Sequence, residues 1–126
     1  MGYYAQRSLV VLSPDPHGVH ETRKAIVISD INHPDIGPNQ DPQRYAVMGC
    51  TTSEDYSYAP IRLPTRGLEQ GMFRKPVYAM PWSLHTVEDP AAEHGVEILN
   101  SEGKITEEAF ARVRDGLYTY LGGELR

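Results

Sequence analysis

The residues most suited to chemistry lie in one short stretch between positions 15 and 24. This stretch carries His17, His20, Glu21, Arg23 and Lys24. Arginine binds phosphate oxygens bidentately and stabilises negative charge as it grows on them, and histidine exchanges protons near neutral pH. A charged loop held by a neighbouring strand is a common way to build an active site, and these side chains suit phosphodiester chemistry.

A second polar set follows later in the chain. Thr51, Thr52 and Ser53 end one apolar run, and Arg74 and Lys75 lie in a later segment. Hydroxyl and cationic donors suit phosphate oxygens. Because RNA carries its own nucleophile, the 2′-hydroxyl, a protein that cleaves it needs to supply only a base, an acid and charge stabilisation. No metal is required for such a reaction.

Each of these residues also has a structural alternative. Arg23 could pair with Asp15 or Glu21, and the Thr51 side chain could cap the end of its strand. A solvated surface hairpin is the corresponding alternative for the whole charged loop. The residues alone leave these alternatives open.

Metal and thiol chemistry are disfavoured. The cluster of His17, His20 and Glu21 lacks a clear third partner for a metal site, so no metal and no cofactor are expected. Cys50 is the only cysteine, which excludes an internal disulfide. It ends an apolar run, and we therefore predict a small buried hydrophobe rather than a nucleophile.

Strand and turn signals surround these polar residues. The 10 prolines and 11 glycines favour many short strands and turns over a helical bundle. We predict strands at 8–13, 24–29, 44–50, 56–63, 72–80, 82–87 and 96–99, with the first two antiparallel. Residues 30–43 are predicted to form a long irregular loop.

One helix is predicted near the end of the chain. Thr106 is a good N-cap, and Glu107 and Glu108 suit the first turn. The predicted apolar face comprises Phe110, Val113, Leu117 and Leu121. Together these elements predict a mainly β fold, a small, strongly bent, barrel-like antiparallel sheet with one C-terminal α-helix.

Length and charge narrow the possible partners. A chain of 126 residues predicts a single domain, 1–126. The net charge of −5 means that any nucleic acid must bind a local basic patch. No signal peptide or membrane-spanning apolar run is recognisable, so we expect a cytoplasmic protein without a membrane partner.

The order of these motifs resembles the MazF/PemK/Kid family of toxin endoribonucleases. Residues 15–29 follow D-P-x-G-x-x-E…R-x-A-I-V-I-S, and a later strand ends in C-T-T-S. The family pattern is D-P-x-x-G-x-E-Q…R-P-x-V-V-x-S, with a later strand ending in P-x-T or P-C-T-T. The resemblance spans residues 9–121 and implies an SH3-like β-barrel with a C-terminal helix, as in MazF and CcdB.

The resemblance also implies an activity. Members of this family are homodimers that cut single-stranded RNA without metal, leave a 2′,3′-cyclic phosphate and are inhibited by a cognate antitoxin. It implies that Arg23 and Thr51 are catalytic, and it aligns His20 and Glu21 with a His-Glu pair that some members carry. We expect RNA contacts from the remaining polar residues, His17, Lys24, Thr52, Ser53, Arg74 and Lys75.

The chain departs from the family pattern at three points. The loop before Arg23 is shorter, Lys24 replaces a proline, and an acid common in the family is absent around Arg74 and Lys75. Proton transfer then depends on His20, or cleavage is slow. Two other functions stay open: a non-catalytic SH3-like binding module, and a CcdB-like toxin that inhibits a protein target such as a topoisomerase.

Overall fold

The computed structural model describes residues 4–30, 42–53 and 61–123. Within these ranges the chain forms β1 (Ser8–Ser13), β2 (Arg23–Val27), β3 (Gln43–Thr51), β4 (Ile61–Arg62), β5 (Tyr78–Asp89), β6 (Glu97–Lys104) and α1 (Glu107–Tyr120). The predicted mainly β fold with a C-terminal helix is confirmed. No helix in the described ranges is long and apolar enough to cross a membrane.

The strands form one antiparallel sheet in the order β4-β5-β3-β2-β1-β6. The predicted antiparallel pairing of β1 with β2 is confirmed, with Val10 opposite Ala25. No ladder joins β4 to β6 in the described part of the chain, so the sheet is open. The prediction of a barrel therefore holds only loosely.

The strand predictions were wrong around β5. Residues 72–77, predicted as strand, are irregular, and the two predicted strands 72–80 and 82–87 are replaced by one strand, Tyr78–Asp89. A register shift against β3 explains its length. Met48 pairs with Leu84 and Cys50 with Ala79, so extra β5 residues face a single β3 residue. Pro81 lies in this irregular part, where the ladder needs no N–H from it.

Other boundaries differ less. β2 begins one residue earlier than predicted and ends at Val27, and β6 extends five residues beyond the predicted 96–99. Most of the predicted loop 30–43 lies outside the described residues, as does most of the predicted strand 56–63. Of that strand, Ile61–Arg62 is described as β4.

Side chains on the two faces of the sheet form two apolar clusters. Leu9, Ile26 and Met48 pack on the face that α1 covers. Val10, Ala25 and Val27 pack on the opposite face. Because strand side chains alternate, Arg23 shares its face with Ala25 and Val27. The second cluster therefore extends directly into the charged end of β2.

The helix begins as predicted, and its predicted apolar face is confirmed at Phe110, Val113 and Leu117 but not at Leu121. The Thr106 hydroxyl accepts a hydrogen bond from the N–H of Ala109 at 3.1 Å, which confirms the N-cap. Ala109 and Val113 are buried, whereas Leu121 is 70% exposed. The prediction that Leu121 faces the sheet was wrong. The helix ends at Tyr120, so the three- and four-residue periodicity does not extend to the cap position.

Candidate functional site

A buried ion pair joins the charged loop to β2. Nε of Arg23 donates to Oδ1 of Asp15 at 2.7 Å, and Nη2 donates to Oδ2 at 2.9 Å. The Asp15 side chain is fully buried and that of Arg23 is 5% exposed. The hydrogen bond from Arg23 holds the pKa of Asp15 well below its usual range, even though burial acts in the opposite direction. The structural alternative considered for Arg23 is thus present, with Asp15 rather than Glu21 as its partner.

The same carboxylate organises the backbone of the Asp15 loop, residues 15–21. Oδ1 accepts the N–H of His17 at 2.9 Å, and Oδ2 accepts those of Val19 and His20 at 3.2 and 3.0 Å. Gly18 has a φ of 70°, a left-handed conformation that glycine adopts without a steric penalty and that lets the chain turn around the carboxylate. The positions of both loop histidines therefore depend on Asp15.

Arg23 keeps donor capacity after these contacts. Nη1 donates to the carbonyl of Cys50 at 3.0 Å, which ties the guanidinium to the end of β3. A guanidinium has five N–H donors, and its contacts with the described residues use three of them. One N–H on Nη1 and one on Nη2 remain. These two donors can bind the oxygens of an anion.

A cavity of about 220 Å³ adjoins Arg23. Its lining residues are His20, Thr22, Arg23, Lys24, Cys50, Thr51, Thr52 and Val77. The structure thus brings together His20, Arg23 and Thr51 from the predicted catalytic set. The fourth member, Glu21, is exposed and does not line this cavity.

Thr51 has both a structural contact and a proton to donate. Its Oγ1 accepts the N–H of Ser53 at 3.1 Å, which is the strand-end role considered as an alternative. Accepting this bond leaves the hydroxyl proton available to a ligand in the cavity. The geometry therefore allows the structural role and the predicted chemical role together.

A second cavity, of about 460 Å³, lies beside the first, and we call it the basic groove. It is lined by Leu9, Lys24, Thr52, Leu68, Met72, Phe73, Arg74, Lys75, Val77 and Glu102. Lys24, Thr52 and Val77 line both cavities, so the two adjoin. The exposed ends of Lys24 and Glu102 form an ion pair at 3.0 Å. Arg74 and Lys75, both exposed, add positive charge at the far part of the groove.

A cluster that sequence reasoning missed lies next to the Asp15 loop. Nε2 of His17 is 2.6 Å from Oγ of Ser83, and Nε2 of His85 is 3.0 Å from the same oxygen. The two rings meet edge to face with centroids 5.7 Å apart. Burial, followed by the charge of His17, lowers the pKa of His85. The alternating pattern of residues 82–87 was a usable signal, because it places Ser83 and His85 on one face.

Cys50 is a core residue. It is 4% exposed, and burial raises the pKa of its thiol to about 12. The thiol is therefore protonated at neutral pH and is no nucleophile, as its sequence context predicted. Across the described ranges, no group of three His, Cys, Asp or Glu side chains is arranged to hold a metal ion.

The fold is similar to that of a known structure. A chain in the crystal structure of MazE-MazF from Deinococcus radiodurans superposes with a TM-score of 0.56 at 16% sequence identity, over 98% of this chain and 100% of that one. No family model matches the sequence, and no curated protein matches it. At this identity the likeness establishes the fold.

Proposed function

We propose that this protein is a metal-independent endoribonuclease that cleaves single-stranded RNA, and that it is the toxin of a toxin–antitoxin pair. The observation that carries the proposal is the cavity that His20, Arg23 and Thr51 line together. These residues come from a loop and two strands, and they supply a proton acceptor, a cation and a hydroxyl. The fold shared with a chain of MazE-MazF supports the toxin part of the proposal.

The proposed chemistry is attack of the RNA 2′-hydroxyl on the adjacent phosphorus. His20 takes the proton of the 2′-hydroxyl, and the exposed Glu21 beside it is the alternative acceptor. The two remaining N–H groups of Arg23 and the hydroxyl of Thr51 stabilise the negative charge on the phosphoryl oxygens. The products are a 2′,3′-cyclic phosphate and a 5′-hydroxyl.

The basic groove continues from this cavity and is the proposed path of the RNA strand. Lys24 and Thr52 line both cavities, and Arg74 and Lys75 lie further along. Phe73 offers an aromatic surface in the same groove, and aromatic side chains stack on the bases of single strands. Phosphate contacts would thus be combined with base stacking along one continuous surface.

A non-catalytic binding module is the second candidate. The engagement of Arg23 by Asp15 and Cys50, and of Thr51 by Ser53, favours it, because these structural contacts account for both residues without any catalysis. Such a module binds RNA or protein in the same cavities without cleaving it. A cleavage assay therefore distinguishes the two candidates.

The decisive experiment is cleavage of a long single-stranded RNA by the purified protein in the presence of EDTA. Arg23→Ala is expected to abolish cleavage, but it also leaves Asp15 buried without its partner and destabilises the fold. Thr51→Val is the cleaner variant because it removes a partly exposed hydroxyl and with it a single hydrogen bond, that from the N–H of Ser53. Loss of one donor to the transition state is expected to slow cleavage by about 10²–10³-fold.

Thr86→Val is the matched control for this variant. Thr86 is exposed on β5 and lies outside both cavities, so the same substitution there is expected to leave the rate unchanged. Absence of cleavage by the wild-type protein in EDTA, or an undiminished rate for Thr51→Val, would contradict the proposal.

The proposed partners have tests of their own. We propose that an antitoxin occupies the same cavities. Its gene is expected directly upstream, as a short reading frame that encodes a DNA-binding head and an acidic tail. We also propose a homodimer, which light scattering of the purified protein measures directly.

A further inference from the structure

Two histidines from distant parts of the chain converge on one buried hydroxyl. His17 belongs to the Asp15 loop and His85 to β5, and Ser83 lies between their Nε2 atoms at 2.6 and 3.0 Å. Ser83 is 1% exposed, so it is inaccessible to a substrate, whereas the His17 ring is exposed. A ligand can therefore reach His17 but not Ser83.

The single proton of the Ser83 hydroxyl determines which ring nitrogen of each imidazole donates a hydrogen bond and which accepts one. A serine that bridges two neutral histidines donates to one ring nitrogen and accepts from the other. His85 is partly buried, and burial favours its neutral form, which accepts a hydrogen bond at Nε2. Ser83 then donates to His85 and accepts the Nε2–H of His17. In this arrangement Nδ1 is the ring nitrogen of His17 that is left for a substrate.

This cluster lies directly beside the proposed phosphate site. A side chain on Gly49 would meet the Ser83 hydroxyl and approach Cδ of Arg23 to 3.4 Å, so Arg23 and Ser83 flank the same glycine. The main-chain N–H of His17 binds Oδ1 of Asp15, and that of His20 binds Oδ2. The main chains of the two loop histidines are therefore held by different oxygens of the carboxylate that also binds Arg23.

The reaction needs two proton transfers at two different places. The attacking 2′-oxygen and the leaving 5′-oxygen lie roughly in line on opposite sides of phosphorus, so a base and an acid act on opposite sides of the bound phosphate. His20 lines the cavity beside Arg23, and His17 lies outside that lining, over Ser83. The two histidines thus lie at different places around the Asp15–Arg23 pair, as a base and an acid on opposite sides of a phosphate require.

We propose that His17 is the general acid of the proposed RNA cleavage and that Ser83 and His85 are positioning residues that hold its ring. This inference rests on the proposed function. As the 2′-oxygen forms its bond to phosphorus, His20 takes the 2′-hydroxyl proton. As the bond from phosphorus to the 5′-oxygen breaks, Nδ1 of His17 protonates that oxygen. His20 then releases its proton to solvent and His17 takes one up from solvent, which restores both side chains to their starting states.

Four ionisable groups set the protonation of this cluster. Asp15 faces it from the loop and favours the positive form of His85, whereas Arg23 from β2 and the charge of His17 oppose it. His85 in turn faces His17 across Ser83. A general acid must be protonated to act, so its contribution to the rate is lost as the pH rises through its pKa.

The test compares two leaving groups in an RNA oligonucleotide that contains a mapped cut site. One oligonucleotide has the natural 5′-oxygen, and the other has sulfur in its place, which leaves without being protonated. His17→Gln is expected to cleave the natural linkage about 10²–10⁴-fold more slowly than the wild type. It is expected to cleave the sulfur linkage at nearly the wild-type rate, whereas His20→Gln stays slow on both.

The positioning role is tested by pH profiles and by direct titration. Ser83→Ala and His85→Gln keep the His17 imidazole, so they are expected to shift the high-pH fall of the cleavage rate, whereas His17→Gln removes it. NMR titration of the ring protons of His17 is expected to show the same shift in the Ser83→Ala protein. His94→Asn is the control, because His94 is exposed and pairs with the equally exposed Glu93, away from the Ser83 cluster.

The outcomes separate this inference from the proposed function. Wild-type cleavage with no loss in His17→Gln, or with no rescue by sulfur, overturns the role of His17 and leaves the ribonuclease proposal standing. No cleavage by the wild type overturns both. An unchanged His17 titration in Ser83→Ala overturns the positioning role, even if a substituted protein is too unstable for kinetic work.

Discussion

Asp15 places a buried carboxylate where three main-chain N–H groups and a guanidinium converge. Burying a charge is costly unless it is paired and hydrogen-bonded, and here both of its oxygens are used. The arrangement holds Arg23 in one orientation before any ligand arrives. Preorganisation of this kind lets a cation stabilise developing charge without reorganising during the reaction.

The ion pair makes stability depend on pH in a defined direction. The folded-state pKa of Asp15 lies below its unfolded value of about 3.8. Its stabilisation is therefore fully present above pH 4 and is lost as the pH falls towards the folded-state pKa. Asp15→Asn removes the charge, and we expect it to lower the free energy of unfolding at pH 7 by about 3–5 kcal/mol.

Urea unfolding between pH 2 and 7 measures both effects. The substituted protein is expected to lose less stability than the wild type between pH 4 and 2, since it has no Asp15 to protonate. Glu97→Gln, an exposed position on β6, is the control and is expected to behave like the wild type. An Asp15→Asn protein as stable as the wild type at pH 7 would show that the ion pair contributes nothing.

Among the secondary-structure elements, those with local signals were predictable. The apolar run of β1 and the N-cap of α1 are signals carried by residues adjacent in sequence, so the starts of both elements were predicted correctly. The course of β5 was not predictable in this way. Its single long strand depends on the register against β3. The sequence around Pro81 gives no local sign that the strand continues there, because its pairing partner lies far away in the chain.

The candidate site likewise contains residues whose role was predictable from the sequence and residues whose role was not. Arg23 begins β2 and Thr51 ends β3, two strands whose apolar runs are visible in the sequence, and the structure places both on one cavity. Ser83 and His85 could not be assigned a role, because His17 and Ser83 are 66 positions apart. Chemistry carried by neighbouring residues was predictable, and a cluster made by tertiary contact was not.

Two apolar residues of the predicted face of α1, one buried and one exposed, allow a direct comparison. Val113 is 1% exposed in the cluster with Ile26 and Met48, whereas Leu121 is 70% exposed. We expect Val113→Ala to lower the free energy of unfolding by about 2 kcal/mol through lost burial and a residual cavity. Leu121→Ala is expected to change it by less than about 0.5 kcal/mol.

Denaturant midpoints of the two variants check this prediction. If the helix packed with the whole face that its periodicity predicts, Val113→Ala and Leu121→Ala would lower the stability by comparable amounts. If Leu121→Ala proved as costly as Val113→Ala, then Leu121 would be covered in solution, and measuring the midpoint at several protein concentrations would identify a second copy as the cover.

The whole molecule is acidic, yet its proposed ligand is a polyanion. With a net charge of −5, long-range attraction of RNA is weak, and binding has to rely on the basic groove. Lys24 is partly neutralised by Glu102, which leaves Arg74 and Lys75 as the exposed cations of the groove. Local charge, rather than total charge, should then control the salt dependence of binding.

This distinction predicts a difference between two doubly substituted proteins with the same net charge. Each phosphate neutralised on a single strand contributes about −0.7 to the slope of log K against log salt. Arg74→Ala with Lys75→Ala is expected to make that slope shallower by about 1.4. Arg112→Ala with Arg114→Ala, on the exposed side of α1, is expected to leave it unchanged.

The measurement is fluorescence anisotropy of a labelled oligonucleotide at several potassium chloride concentrations. A 2′-deoxyribose at the cut site removes the nucleophile, so binding is followed without cleavage. Because both proteins lose two positive charges, an equal change in slope would mean that total charge governs binding and that the basic groove is not the path of the RNA. A shallower slope in the groove variant alone places the phosphates at Arg74 and Lys75, on the surface continuous with Arg23 and Thr51.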